Sequence, residues 1–596
     1  MRRIISWTVL ALLLVVTFIL AFNVGLVRAQ APQTVYINSD GSVSPSNAPI
    51  SSVDNVTYTF TGNISYPAYD GIFVERNNMV IDGNGYAEQG NQSDDGISLM
   101  DINNVTIKNV NIENFTNGIN LSASSNIIVS GNNVTANTNV GIMLGSSVSN
   151  SISGNNITAN SGFGVGLFSS SNNSINENTF TDDGLTVSDS YQNSVENNTV
   201  NGKPLVYLEG VADYTVGDAG QVILVSCNGI RVENLTLNSA SSAVQLWETN
   251  NSIISGNNVT ANSNSGILLE FSSGNTVSGN IALSNSVGQG VSLFYSSNNT
   301  VSGNKAIANG DGIQLEMSPD NTVSGNIVSS NIGGIEIVSS SDNTVSGNTA
   351  AGSNGYGIDL VGSLDNTVTG NTVSSNYLGG INVDLSSNNI IYHNNFIGNI
   401  LQASRIVSPS VGNVWDNGYP SGGNYWSDYN GTDLYSGPYQ NMTGSDGIGD
   451  KQYVIDANNT DHYPLMGQFS DFNAAQGVDV QVVSNSTVYD FQFNENAILF
   501  NVYGTNGTTG FCNVCVPTAL LNGTLIVLVN GTQVQYSLLP SSNSNQTYLY
   551  FTYSHSTEQV TIVPELPEPL ILAMFMLTTL LAIATHKKRH KRSFLG

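Results

Sequence analysis

The hexapeptide NTVSGN, Asn275 to Asn280, returns at Asn299, Asn321 and Asn343, and as NTVTGN at Asn366, a spacing of 22 to 24 residues. Each copy has a companion of the form Gly-Ile-x-Leu-x, whose glycine stands at Gly266, Gly290, Gly312, Gly334, Gly357 and Gly380 and keeps the same spacing. The first and third residues after each glycine are aliphatic, from Ile267 and Leu269 to Ile381 and Val383, while the second and fourth are polar or mixed. A period of two over five residues describes a strand with one buried face. Weaker copies in phase open at Gly71, Gly96, Gly118, Gly141 and Gly164.

Helical repeats need periods of about 33 residues or more, and a leucine-rich repeat needs its own leucine and asparagine pattern. Short strands, turn residues and a period near 23 predict a right-handed parallel β-helix with about three strands per coil. Stacked coils bring like residues above one another, and asparagines at a corner then bond along the axis through their amides. NTVSGN is therefore read as a corner rather than an active site. The period lapses between Asn201 and Val232 and resumes with Ile254, which predicts a long excursion or an irregular coil.

Composition agrees: 40% apolar residues, only 10% charged, and 60 glycines favour strands and tight turns over helices. Fifteen basic residues face 43 acidic ones, a net charge of -28, which repels nucleic acid. Three cysteines build no disulfide framework, and Cys512 and Cys515 read as strand residues on opposite faces.

The ends predict an address. Residues 1–31 join two arginines, an apolar run and Ala29-Gln30-Ala31 as a cleavage site, the pattern of an export signal. Residues 564–596 carry Pro-Glu-Leu-Pro, an apolar stretch from Leu570 to Thr585 and a basic tail, read as a transmembrane helix that anchors an outward-facing chain in the cytoplasmic membrane. That layout resembles the three-part sorting signals of archaeal surface proteins, with Leu566 in place of the usual aromatic. Between the ends, the expected all-β order is a β-helix over residues 32–400, an aromatic and glycine-rich cap over 401–466, and a small β-sandwich over 467–563.

The coils, together with NGKPLVYLEG from Asn201, AGQVILVSC ending at Cys227, and WDNGYPSGGNYWSDY from Trp415 to Tyr429, resemble the NosD-type right-handed β-helix family in its archaeal surface-protein form. The likeness spans roughly residues 55 to 466 and extends to carbohydrate-binding and sugar-hydrolase β-helices. It implies the fold. NosD proteins serve copper-site maturation, but Met100, Met143 and Met317 are scattered and His393, His462 and His555 isolated, so the copper role is not carried over.

The outward places of the repeat supply the candidate residues. Trp247, Glu270, Phe294 and Asp384 suit a glycan track, because sugars stack on aromatic faces and bond to carboxylates. Glu316, Glu336 and Asp359 are candidate catalytic carboxylates of a glycosidase-like reaction, the alternative to binding. Asp446, Asp450 and Asp456 are candidate ligands of calcium, the one cofactor expected. The expected partners are a polysaccharide or a glycoprotein of the envelope, and the membrane.

Overall fold

The computed structural model describes residues 29–30, 33–66, 70–285, 288–404, 410–540 and 544–565. Within these, one compact unit takes in residues up to Thr344 together with Asn348–Ser363, and a second takes in Val345–Gly347 and the residues from Leu364. No helix among the described residues is long and apolar enough to cross a membrane. The predicted export segment before Ala29 and the apolar tail after Glu565 lie outside the described residues.

The first unit is a parallel β-helix with three strands per coil. One coil runs Ile267–Glu270, Thr276–Ser278, Ile281–Leu283, and the next Val291–Phe294, Thr300–Ser302, Lys305–Ile307. Register follows the repeat. Ile267, Val291, Ile313, Ile335 and Ile358 lie over one another, and each is fully buried. Burying one such side chain contributes roughly 1.5–3 kcal/mol, so every coil adds to a continuous core. The glycine before each of them is a matter of room: a Cβ on Gly290 would stand 2.6 Å from the carbonyl of Gly312, and one on Gly334 2.1 Å from that of Gly357.

The asparagines of NTVSGN form buried ladders. Asn304 Oδ1 accepts from the backbone N–H and the amide of Asn280 at 2.9 and 3.0 Å, while its own N–H and amide donate to Asn326 Oδ1 at 2.9 and 3.0 Å. The amide also donates to the carbonyl of Val277, 2.9 Å away. The buried amide of Asn304 is thereby satisfied at both its oxygen and its nitrogen. The bonding runs one way, each rung donating to the next, and two ladders end on aspartate, which has no amide to donate. Asn160 donates to Asp183 Oδ2, and in the second unit Asn394 donates to Asn424, which donates to Asp461 Oδ2.

Where the period lapses, the chain does not loop out. Thr199–Val200 turns at Asn201-Gly202, both at positive φ, into an antiparallel hairpin with Lys203–Glu209. Lys203–Glu209 pairs in parallel with Gln221–Val225, which pairs with Val244–Trp247. Val222 and Leu224 continue the inward column of Val244 and Leu246, so Ile223, Val225, Gln245 and Trp247 point outward. They are nonetheless buried, and Ile223, Val225 and Trp247 belong to the core of the coils before the hairpin. The outer face of these two rungs is a lid on the end of the lower stack of coils.

The lid also meets the open edge of the last lower strand, Leu185–Ser188. Gln221 Oε1 accepts from the N–H of Leu185 at 3.0 Å and its amide donates to the carbonyl of Leu185 at 2.7 Å. Gln245 does the same for Val187, at 3.2 and 2.8 Å. Two glutamine side chains stand in for a missing strand.

The second unit continues with coils such as Thr367–Thr369 and Ile390–Tyr392, then a cap whose Trp415 and Trp426 are 1% exposed. Two antiparallel five-stranded sheets follow, around a core that includes Val482, Phe500, Val514 and Ile562. Cys512 lies in this core and Cys515 beside Leu539 and Tyr548, so the two thiols occupy opposite faces of Thr509–Pro517 and are free.

Candidate functional site

The outward column Trp247, Glu270, Phe294, Glu316 exists in register as the repeat requires. Its two ends differ in kind. Trp247 is 5% exposed and donates from Nε1 to the hydroxyl of Tyr191 at 2.9 Å, so it is part of the lid and not a sugar platform. The glycan-track reading of Trp247 is corrected on that ground. Glu270, between Trp247 and Phe294 in the column, accepts from the Gln245 amide at 2.7 Å, and burial pushes its carboxyl up to about 7.

The platform that the repeat offers sits one residue further on, at the corner after the strand. Phe271 and Tyr295 are each 45% exposed, and their rings stack at 5.1 Å with 3° between planes. Trp247 supports Phe271 from below at 4.9 Å, and Phe294 meets Tyr295 edge-on at 4.6 Å. Both corner residues have φ near +50°, a left-handed conformation that bulky residues seldom adopt. The signal in the sequence was LEF, LFY and LEM at successive corners, which places Phe271, Tyr295 and Met317 in one row.

The structure brings Glu336 and Asp359 one rung apart in the neighbouring column, above Gln314. Gln314 donates to Glu336 at 2.8 Å. Burial, and then the charges of Asp311, Asp359 and Glu316, raise the carboxyl of Glu336 above its ordinary range. Glu316 stands in the other column, register partner of Val338. Neither column carries a lysine, arginine or histidine. Asp384 ends the strand Gly379–Asp384 of the second unit. These carboxylates can accept hydrogen bonds from hydroxyls, and a protonated Glu336 can donate one.

The three candidate calcium ligands are not brought together. Asp450 accepts from the N–H groups of Leu434 and Tyr435, Asp456 from those of Asn458 and Asn459, and Asp446 from Ile448 and the Gln440 amide. Each carboxylate is taken up by backbone N–H groups. Among the described residues no three His, Cys, Asp or Glu side chains are grouped to hold a metal ion.

Residues 183–316 and 284–431 match the sequence model of the family described as periplasmic copper-binding protein (NosD), and residues 38–200 that of the right handed beta helix region. The two matches meet at the hairpin. No curated protein sequence matches the chain. Among solved structures, the chain is similar to the periplasmic alginate epimerase AlgG, 14% identical, with a TM-score of 0.24 over 62% of this chain and 83% of that one. The Dettilon tailspike protein is 12% identical, with a TM-score of 0.25 over 84% and 87% of the two chains. A tailspike mutant of E. coli bacteriophage HK620 in complex with a hexasaccharide is 12% identical, with a TM-score of 0.23 over 90% and 86%.

Copper, which the family description implies, needs imidazole or soft sulfur ligands in a group. His393 is 2% exposed and bonded to the Ser421 carbonyl, His555 lies between Ser486 and Thr508, and His462 is turned to Asp416. Cys227, Cys512 and Cys515 are buried in strand packing. Among the described residues, none are grouped to fit a copper site. The coiled part of the chain is a right-handed parallel β-helix of the NosD type.

Proposed function

We propose that the protein is an exported β-helix, held at the cell surface by its C-terminal segment, that binds neutral glycans at the Phe271 and Tyr295 corner. The observation that carries this reading is the pair of parallel, half-exposed rings held in a left-handed conformation. The half-exposed rings offer a sugar an apolar surface, and Glu270 and Glu316 nearby in the strand column accept from its hydroxyls. A net charge of -28 disfavours acidic polysaccharides and favours neutral ones. Phe271→Ala and Tyr295→Ala are each expected to weaken retention on an immobilised neutral glycan about tenfold, the equivalent of one lost stacking contact. Retention that both variants leave unchanged would sink the reading.

A second reading has its own observation, the raised carboxyl of Glu336 one rung from Asp359. Carboxyls at neighbouring rungs, about 4.8 Å apart along the stack, stand near the separation of a retaining glycosidase pair. Oligosaccharide released by the native chain and absent with Glu336→Gln would establish it. Retention with no product in either chain would leave binding as the function.

A further inference from the structure

The second unit contains a cavity of about 580 Å³ that the proposed surface site does not use. Its volume falls in the range of roughly 300–1,000 Å³ typical of small-molecule sites. One wall comes from the coils: Ser346, Thr369, Thr372 and Tyr392, with Thr369 and Tyr392 one rung apart in register. The facing wall comes from the sandwich, where Ser470, Asp471, Phe472 and Gln481 line it. Gly347 and Gly370 turn the coil corners here, and without side chains they leave the space open.

We propose that this cavity is an independent carbohydrate site that takes one or two rings of a neutral pyranose. Its aromatic side chains are set before any ligand arrives. Phe472 stacks on Phe491 at 4.7 Å and 5°, and Tyr392 rests edge-on against His393 at 4.8 Å, whose ring lies on Phe469 at 4.0 Å. Pre-set rings lose little entropy on binding. Asp471 and Gln481 are cross-strand partners, so a carboxylate acceptor stands beside an amide that both donates and accepts, the pairing that neighbouring sugar hydroxyls require. Serine and threonine hydroxyls supply further contacts on both walls. His393 adds no positive charge, because burial pulls it down to about 4, and Asp471, which burial pushes up to about 6, is the charged group of the lining at neutral pH. Uronates and sulfated sugars are repelled, while a lipid or a flat apolar ligand would leave the hydroxyls unpaired.

The test is saturation-transfer NMR on the full chain with mannobiose and cellobiose, and digalacturonate as the anionic counterpart. Transfer is expected to a neutral disaccharide and not to digalacturonate. In a chain that carries Phe271→Ala and Tyr295→Ala, so that the surface platform is silent, it is expected to persist, to vanish with Thr372→Trp, which fills the space, and to weaken about tenfold with Phe472→Ala. Melting curves of the variants establish that each is folded. Transfer that survives Thr372→Trp in that background, or no transfer to any neutral disaccharide in it, overturns the proposal. Transfer lost with Phe271→Ala and kept with Thr372→Trp supports the surface platform and overturns the cavity.

Discussion

Trp247→Ala is expected to destabilise the chain by about 3–5 kcal/mol, the cost of deleting a buried aromatic side chain whose site cannot collapse. Trp247 fills the junction between the two stacks of coils and holds Tyr191 through its indole N–H. Its loss opens the end of the lower core, so the effect should be local before it is global. Hydrogen exchange is the measurement to make. The amides of Leu185 and Val187, bonded only by the side chains of Gln221 and Gln245 on the lid, should lose protection first. Uniform loss along all coils would instead mean that the two stacks unfold as one and that the lid is not a separate element.

Thermal stability is expected to fall as pH rises from about 4 to above 7, against the usual trend of acid lability. The cause is a set of carboxyls that burial pushes up without a compensating cation: Asp183 and Asp461, each to about 7, and Glu88, raised well above its ordinary value. Between the unfolded value near 3.8 and the folded value near 7, the native aspartate keeps a proton that the unfolded chain has released. The unfolded state then binds fewer protons, and stability declines through that window and is lost most fully above it. Three pKa units on one group correspond to roughly 4 kcal/mol as a ceiling. Glu88 sharpens the test, because it occupies the inward column between Ile64 and Ile112, fully buried and with no cation beside its carboxyl. Glu88→Ile should raise the melting temperature at pH 8 far more than at pH 4. A flat pH profile of the native chain, or equal gains at both pH values, would refute this account.

The coils were legible because their physics is written in the repeat: period-two alternation gives the strands, and a polar residue that returns every coil has only its own copies to bond. Asn304 is predictable from Asn280 and Asn326 for that reason. The sandwich was legible from the alternation in AILFNVYG and TYLYFTYS, which became Ala497–Tyr503 and part of Gln546–Ser554. The junction was not read, although its signal was present. In QVILV the alternation fails, and all five residues are buried, which is what a strand covered on both faces looks like. Trp247 was misplaced because alternation tells in from out, and here the outside of one stack is the inside of another.

The candidate site divides along the same line. Glu316, Glu336 and Asp359 stand where the strand pattern put them, since register carries position. Phe271 and Tyr295 were missed because a corner residue belongs to no alternation. Asp446, Asp450 and Asp456 were read from nearness in sequence, which does not say where a carboxylate finds its partners, and each accepts from backbone N–H groups.

The one-way asparagine ladders have a consequence for how such a chain lengthens. A rung that donates forward and accepts from behind can be copied any number of times upstream, because each new coil meets the same partners on both sides. Asp183 and Asp461 accept without donating onward, so a coil appended beyond either would find no amide to receive. Duplication is therefore tolerated inside a stack and blocked at its end. On this view the hairpin at Asn201-Gly202 marks the place where one row of coils had been closed and a new one had to be started.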